Sequence, residues 1–231
     1  MRKRPIVAID GPSGAGKTTV SKLLAQRAGL TRLDTGAMYR ACAYAARRSN
    51  IPWSDGGRLG RMCAELSIEF RREGEEMRLS LAGEDVSDAI RTPEISMGAS
   101  EVSAHAPVRE AMVELQRKMG EEGGIVLEGR DTGTVVFPDA EAKFFLDAHA
   151  AVRALRRYRE WAEAKGKTYE EVLQDVLRRD IQDSTRQHSP LRMAEGATYI
   201  DSTALTAEEV VEEMLRHIPS PTPRTGVGEK A

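Results

Sequence analysis

The residues with the clearest chemical purpose are Lys17 and Thr18, which close the run Gly11-Pro12-Ser13-Gly14-Ala15-Gly16-Lys17-Thr18, with Thr19 next. The spacing is G-x-x-x-x-G-K-T. Its glycines free the backbone to turn successive N–H groups inward around an anion, where the start of a helix adds partial positive charge. Lys17 offers a cation to the outer phosphates, and the Thr18 hydroxyl offers a ligand to magnesium. Residues 11–19 therefore read as a loop for a nucleoside triphosphate such as ATP. The flanks agree: an apolar run ends at Ile9, and Val20, Leu23, Leu24 and Arg27 recur at helical spacing through Ala28.

A second set of candidates is cationic. Arg40 follows Tyr39 in Leu33-Asp34-Thr35-Gly36-Ala37-Met38-Tyr39-Arg40, and Arg130 precedes Asp131 in Glu128-Gly129-Arg130-Asp131-Thr132-Gly133-Thr134. Tyr39 reads either as core or as pocket wall, and Arg40 either as surface charge or as ligand. Arg109 lies off the apolar stripe of Val108, Ala111, Met112 and Leu115, so it faces a cleft or solvent. Further on, Arg153, Arg156, Arg157 and Arg159 crowd one segment, followed by Arg178, Arg179 and Arg186 with Asp180 and Asp183 among them. Arginines packed that closely repel one another unless an anion or a solvated face accommodates them. A phosphate monoester, with a second pKa near ~6, is already ionised and needs no carboxylate base to act as acceptor. The difficulty is bringing two polyanions together, and converging arginines, magnesium and exclusion of water meet it.

These groups need a scaffold that gathers strand ends. Short apolar runs at 5–9, 31–34, 125–127, 143–146 and 199–201 alternate with helical patterns, which predicts an α/β fold around an open parallel sheet with functional turns at the strands' carboxyl ends. The segment 55–96 breaks the alternation. There, Ser67 to Phe70 and Met77 to Leu81 alternate in polarity around a charged turn and read as an antiparallel hairpin inserted after a helix. Pro93 and Pro107 open helices. Thr168 to Glu171 is a capping box, which starts a helix with Val172, Val176 and Leu177 inward, and residues 149–186 read as a mobile, arginine-rich lid. The core is expected over 1–54 and 97–218, and the Pro/Gly-rich tail 219–231 is expected to be disordered.

Composition narrows the partners. Formal charge is -2 despite 34 Lys+Arg, so there is no bulk positive field for nucleic acid. No run approaches the roughly 20 apolar residues of a membrane span. Cys42 and Cys63 are too few and too far apart in sequence for a zinc site or a disulfide framework, and read as buried apolar residues of a cytoplasmic protein. The single Asn50 is followed by Ile51, so the N-K-x-D element of a GTPase is missing. Another small-molecule P-loop kinase, or a silent nucleotide sensor, stays open on these residues alone.

Taken together, Asp10 to Lys17, Leu33 to Arg40, Glu128 to Ala140, and Arg179-Asp180 with Asp183, Ser184 and Arg186 make the chain resemble the bacterial cytidylate kinases over nearly all its length. The resemblance implies a monomeric P-loop kinase that transfers phosphate from ATP, with Mg2+, to CMP and dCMP, and whose insertion serves the monophosphate side. By position it implies that Arg40, Arg130 and Arg186 hold phosphate. Thr35, Arg109 and Asp131 would contact cytosine, with Arg186 close by and Tyr39 lining the pocket, and Ser100, Arg179 and Asp183 would contact the sugar. Arg153 and Arg157 are expected on ATP, and Lys17, Arg130, Arg157 and Arg186 at the transferring group.

Overall fold

The computed structural model describes residues 2, 4–74 and 76–219. Five parallel strands, β1 (Ile6–Asp10), β2 (Thr31–Asp34), β6 (Ile125–Gly129), β7 (Ala142–Asp147) and β8 (Thr198–Asp201), form one sheet in the order β2-β6-β1-β7-β8. The central strand β1 is buried along its whole length, as expected where helices cover both faces of a parallel sheet. Its side chains divide by alternation. Val7 and Ile9 pack with Val20, Leu24, Phe144, Val211 and Met214 on one face. Ile6 and Ala8 pack with Leu33, Leu127, Val113 and Phe137 on the other.

The first face is covered by α1 (Lys17–Ala28) and α8 (Ala207–His217). Gly16, at φ 93°, lets the chain turn into α1, and Gly29, at φ 63°, ends it. The other side carries α2 (Thr35–Arg48), α3 (Gly56–Glu65), α4 (Pro93–Val102) and α5 (Ala106–Met119). These enclose a separate cluster of small and aliphatic side chains around Met38, Leu59, Ile95 and Met112. The irregular segment holds a small antiparallel sheet, β3 (Ile68–Glu73), β4 (Glu76–Leu81) and the two-residue β5 (Glu84–Asp85), in that order. The third strand extends the expected hairpin, because Asp85 and Glu84 pair with Ser80 and Leu81.

Finally, α6 (Ala150–Lys165) and α7 (Tyr169–Thr185) pack together through Ala154, Val172 and Val176. Leu177, expected inward, is exposed. The expected capping box is present, with Thr168 and Glu171 exchanging bonds at the start of α7. The tail expectation falls on residues 220–231, outside the described residues, apart from Pro219.

The cysteine expectation needs correction. Cys42 on α2 and Cys63 on α3 are both buried, as expected, but they are joined as a disulfide across a Cα–Cα distance of 6.3 Å. Separation along the chain was the wrong measure, since the two helices fold back onto one another. The cysteine argument for a reducing compartment therefore lapses. Among the described residues no helix is long and apolar enough to cross a membrane.

Candidate active site

At the carboxyl edge of the parallel sheet, the turns after β1, β2, β6 and β8 open onto one cleft of about 550 Å³. The sheet's strand order reverses beside β1, where such folds place their ligands. One end is the phosphate loop. Ser13 to Thr19 line it, whereas Gly11 and Pro12 turn away and accept hydrogen bonds from Lys17 Nζ on their carbonyl oxygens, at 2.7 Å each. Gly11 is required by space, because a Cβ there would meet the Leu146 carbonyl oxygen at 1.9 Å. Lys17 is buried, and burial followed by the nearby Arg130 charge holds its pKa well below the ordinary lysine range. A triphosphate would supply the missing counter-charge.

Beside the loop, the Thr18 hydroxyl donates to Glu128 Oε2 at 2.9 Å, and Glu128 is 4% exposed. Arg32 Nε donates to the other Glu128 oxygen at 3.0 Å and to Ser21 Oγ at 2.9 Å. Asp34 caps α2 by accepting from Ala37 N–H at 2.9 Å and also accepts from Arg40 at 3.2 Å. Burial works against its ionised form, but Arg40 and Arg32 outweigh that and hold its pKa below the usual range. Among the described residues no cluster of three or more His, Cys, Asp or Glu could hold a metal unaided. A hydroxyl next to one buried carboxylate suits magnesium, which takes most of its ligands from phosphates and water.

The opposite end is assembled from side chains. Asp131, 6% exposed, is gripped by Arg109, itself 3% exposed, and lies 3.9 Å from Arg186. Arg109 therefore faces the cleft and not solvent, with its guanidinium 5.4 Å from the Tyr39 ring centre. Burial raises the Tyr39 phenol to about 12, so it stays protonated. Thr35 donates its hydroxyl proton to the Glu128 carbonyl at 2.7 Å, leaving only lone pairs to turn toward the cleft.

Between the two ends, Arg130 Nε donates to Asp183 Oδ2 at 2.6 Å, and Arg179 lies 3.9 Å from the same carboxylate. Burial alone would raise the Asp183 pKa, but Arg130 and Arg179 hold it below the usual range. Arg179 is in turn pushed down to about 9 by burial and by Arg130. The helix α7 continues through both residues, and Ser100 reaches the cleft from α4. Arg40 Nε, Arg109 Nε, Arg179 Nε and Arg186 Nη2 are buried without a hydrogen-bond partner among the described residues. Orphaned guanidinium donors converging on one space suit an anionic ligand.

Most of the sequence-derived candidates thus meet in one cleft, and Arg153 does not. It donates to the Ala148 and Ser13 carbonyls and pairs with Asp180 at 2.7 Å, which props α6 against the phosphate loop from outside. Arg157, bonded to Ser13 Oγ, lines the cleft. Arg156, one turn from Arg153, lines it too and donates to the Ser202 carbonyl at 2.7 Å. Sequence reasoning named Arg153 and Arg157 from the cluster and passed over Arg156. It also missed Ser202, Leu205 and Thr206, although the end of β8 and the Thr206–Glu209 capping box mark a turn on the same sheet edge.

This fold and cleft define a P-loop nucleotide kinase. The family model for cytidylate kinase matches residues 7–220. A cytidylate kinase of Geobacter sp. (strain M21) is 56% identical over 215 residues, 92% of each chain. One of Bacillus subtilis (strain 168) is 44% identical over 220 residues, 94% of this chain and 98% of its own. An uncharacterised protein from Eubacterium ventriosum shares the fold, with a TM-score of 0.52 at 10% identity over 93% of this chain and 98% of that one. The chain belongs to the cytidylate kinase family.

Proposed function

We propose that this kinase transfers the terminal phosphoryl group of ATP to CMP and dCMP. The observation that carries the base preference is the pairing of Thr35 and Asp131 as acceptors, since the Thr35 proton is committed to the Glu128 carbonyl. Two acceptors suit the exocyclic amino group of cytosine, while Arg109 and Arg186 have donors for its ring nitrogen and carbonyl. Uracil would turn a carbonyl toward the same acceptors and be rejected.

The other groups then divide the labour. Arg40, Arg130 and Arg186 hold the monophosphate, Ser100, Arg179 and Asp183 hold the sugar, and Lys17, Arg157 and the loop N–H groups hold the triphosphate. Bound magnesium would neutralise charge on the outer phosphates, with Thr18 and Glu128 the groups to hold it. The acceptor phosphate needs no base, so no side chain is assigned proton abstraction. Lys17, Arg130, Arg157 and Arg186 stabilise charge on the migrating group. Cytoplasmic, monomeric action is the expectation from resemblance alone, and action without nucleic acid or membrane is the expectation from net charge and hydropathy.

ADP release measured with CMP, dCMP, UMP, AMP and GMP tests this reading. CMP and dCMP should exceed UMP by at least about tenfold in kcat/KM, the equivalent of roughly 1.4 kcal/mol. Equal use of CMP and UMP would refute the base assignment.

A further inference from the structure

Asp10, the last residue of β1, lies between the two halves of the site and faces neither. It is 3% exposed and does not line the cleft. Its Oδ1 accepts from the Thr132 N–H at 2.8 Å and the Thr132 hydroxyl at 2.9 Å, and its Oδ2 accepts from the Gly133 N–H at 2.8 Å. These N–H groups open the π-helical turn Thr132–Val136, whose preceding residue is Asp131. The first N–H groups of a helical turn have no partner within it. Asp10 supplies that partner from a different strand.

The placement is tight on every side. Asp10 pairs in register with Gly129, so the capped turn begins just past its neighbour in the sheet. A Cβ at Gly129 would meet Thr132 Cγ2 at 2.6 Å and Thr35 Oγ1 at 2.8 Å, so the turn folds directly onto the pair of acceptors. On the other side of Asp10 the phosphate loop starts at Gly11. The chain direction at Arg130 and Asp131 is thereby fixed relative to that loop by one buried carboxylate.

We propose that Asp10 is a positioning residue: it sets the Arg130–Asp131 turn against the phosphate loop, and discrimination between cytosine and uracil depends on it although it touches neither nucleotide. This rests on the assignment of Asp131 to the base. A purely structural Asp10 would lower stability without moving the CMP/UMP ratio.

The test is a cycle on the full chain with Asp10→Asn, Asp131→Asn and the double variant, reading kcat/KM for CMP and UMP, melting temperature, and affinity for a non-hydrolysable ATP analogue by calorimetry. The asparagine amide would oppose donor to donor at one of its contacts. The CMP/UMP ratio should fall about tenfold in Asp10→Asn, with analogue affinity within about twofold. In the Asp131→Asn background the same change should move the ratio less than about twofold, since the two residues act as one unit. An unchanged ratio in Asp10→Asn, or an equal fall in both backgrounds, overturns the proposal. If Asp131→Asn itself keeps the wild-type ratio, the base assignment fails and the proposal falls with it. Should Asp10→Asn not fold, Thr132→Val removes one of the three bonds. Its ratio should fall about threefold with recovery in Thr132→Ser, and no fall overturns the proposal.

Discussion

The two ends of the cleft bind charge by different means. At the phosphate loop the anion site is made of backbone, and its single lysine is turned onto the loop's own Gly11 and Pro12 carbonyls. At the opposite end the binding surface is made of side chains from four separate elements, with Asp131 held by Arg109 from α5 and approached by Arg186 from beyond α7. The first end is local in sequence and serves any triphosphate. On the proposed assignment selectivity resides in the second, where buried guanidinium donors left over from the Asp131 network call for a ligand of matching pattern.

Mutations at the two ends should therefore fail differently. Lys17→Ala should have the largest effect, a loss of at least about a hundredfold in kcat, with the fold intact by circular dichroism. Near-wild-type turnover in that folded variant would remove Lys17 from the chemistry. Asp131→Asn should cost about ten- to a hundredfold in kcat/KM for CMP, as expected for losing a charged hydrogen bond, and much less for ATP binding. It is preferable to Asp131→Ala, which would leave the buried Arg109 guanidinium without its carboxylate, with only the Ser103 carbonyl and the Tyr39 ring beside it. An equal loss for ATP would blur the contrast between the ends. Asp183→Ala, which frees Arg130 and Arg179 together, should lower kcat/KM for CMP and dCMP alike by about tenfold. A loss confined to CMP would move its contact to the 2′-hydroxyl, and no loss would return Asp183 to a structural ion pair.

The last expected effect is on stability and not on rate. Burial raises Asp10 to about 6, against the pull of the Gly133 and Thr132 hydrogen bonds. The folded protein thus binds a proton there more tightly than the unfolded chain does. Stability from this group is full below about pH 4 and is lost as pH rises through about 6. The unfolding free energy of wild type minus that of Asp10→Asn should fall by up to ~3 kcal/mol between pH 4 and pH 7. A flat difference would show that the hydrogen bonds fully compensate the burial.

The same contrast explains what could be read from the sequence. The phosphate loop was legible because its chemistry and its geometry sit within nine residues, and the parallel sheet because apolar strands alternate with helical periods. The hairpin was legible from its alternation, but β5 was not, since two charged residues carry no strand pattern. Resemblance, not spacing, assigned Arg109, Asp131 and Arg186 to one ligand. Nothing in the heptad around Arg109 distinguishes a buried partnered arginine from a solvated one. Arg153 was misplaced for a related reason, because a helix that leans on the phosphate loop turns one of two neighbouring arginines under it and the other into the cleft. The Cys42–Cys63 pairing was invisible because it depends on how α2 and α3 meet.

The seat of Trp53 gives the protein an optical handle. Its indole N–H donates to the Ala43 carbonyl at 3.1 Å, and its ring lies so close to α4 that a Cβ at Gly98 would meet it at 2.5 Å. The same helix presents Ser96, Ala99 and Ser100 to the cleft. An adjustment of α4 around an acceptor nucleotide would shift the wall against which this half-buried fluorophore packs. In a Trp161→Phe background, which leaves Trp53 as the only tryptophan of the two in the chain, emission is expected to change when CMP binds, and a stopped-flow trace would separate that change from arrival of the phosphoryl donor.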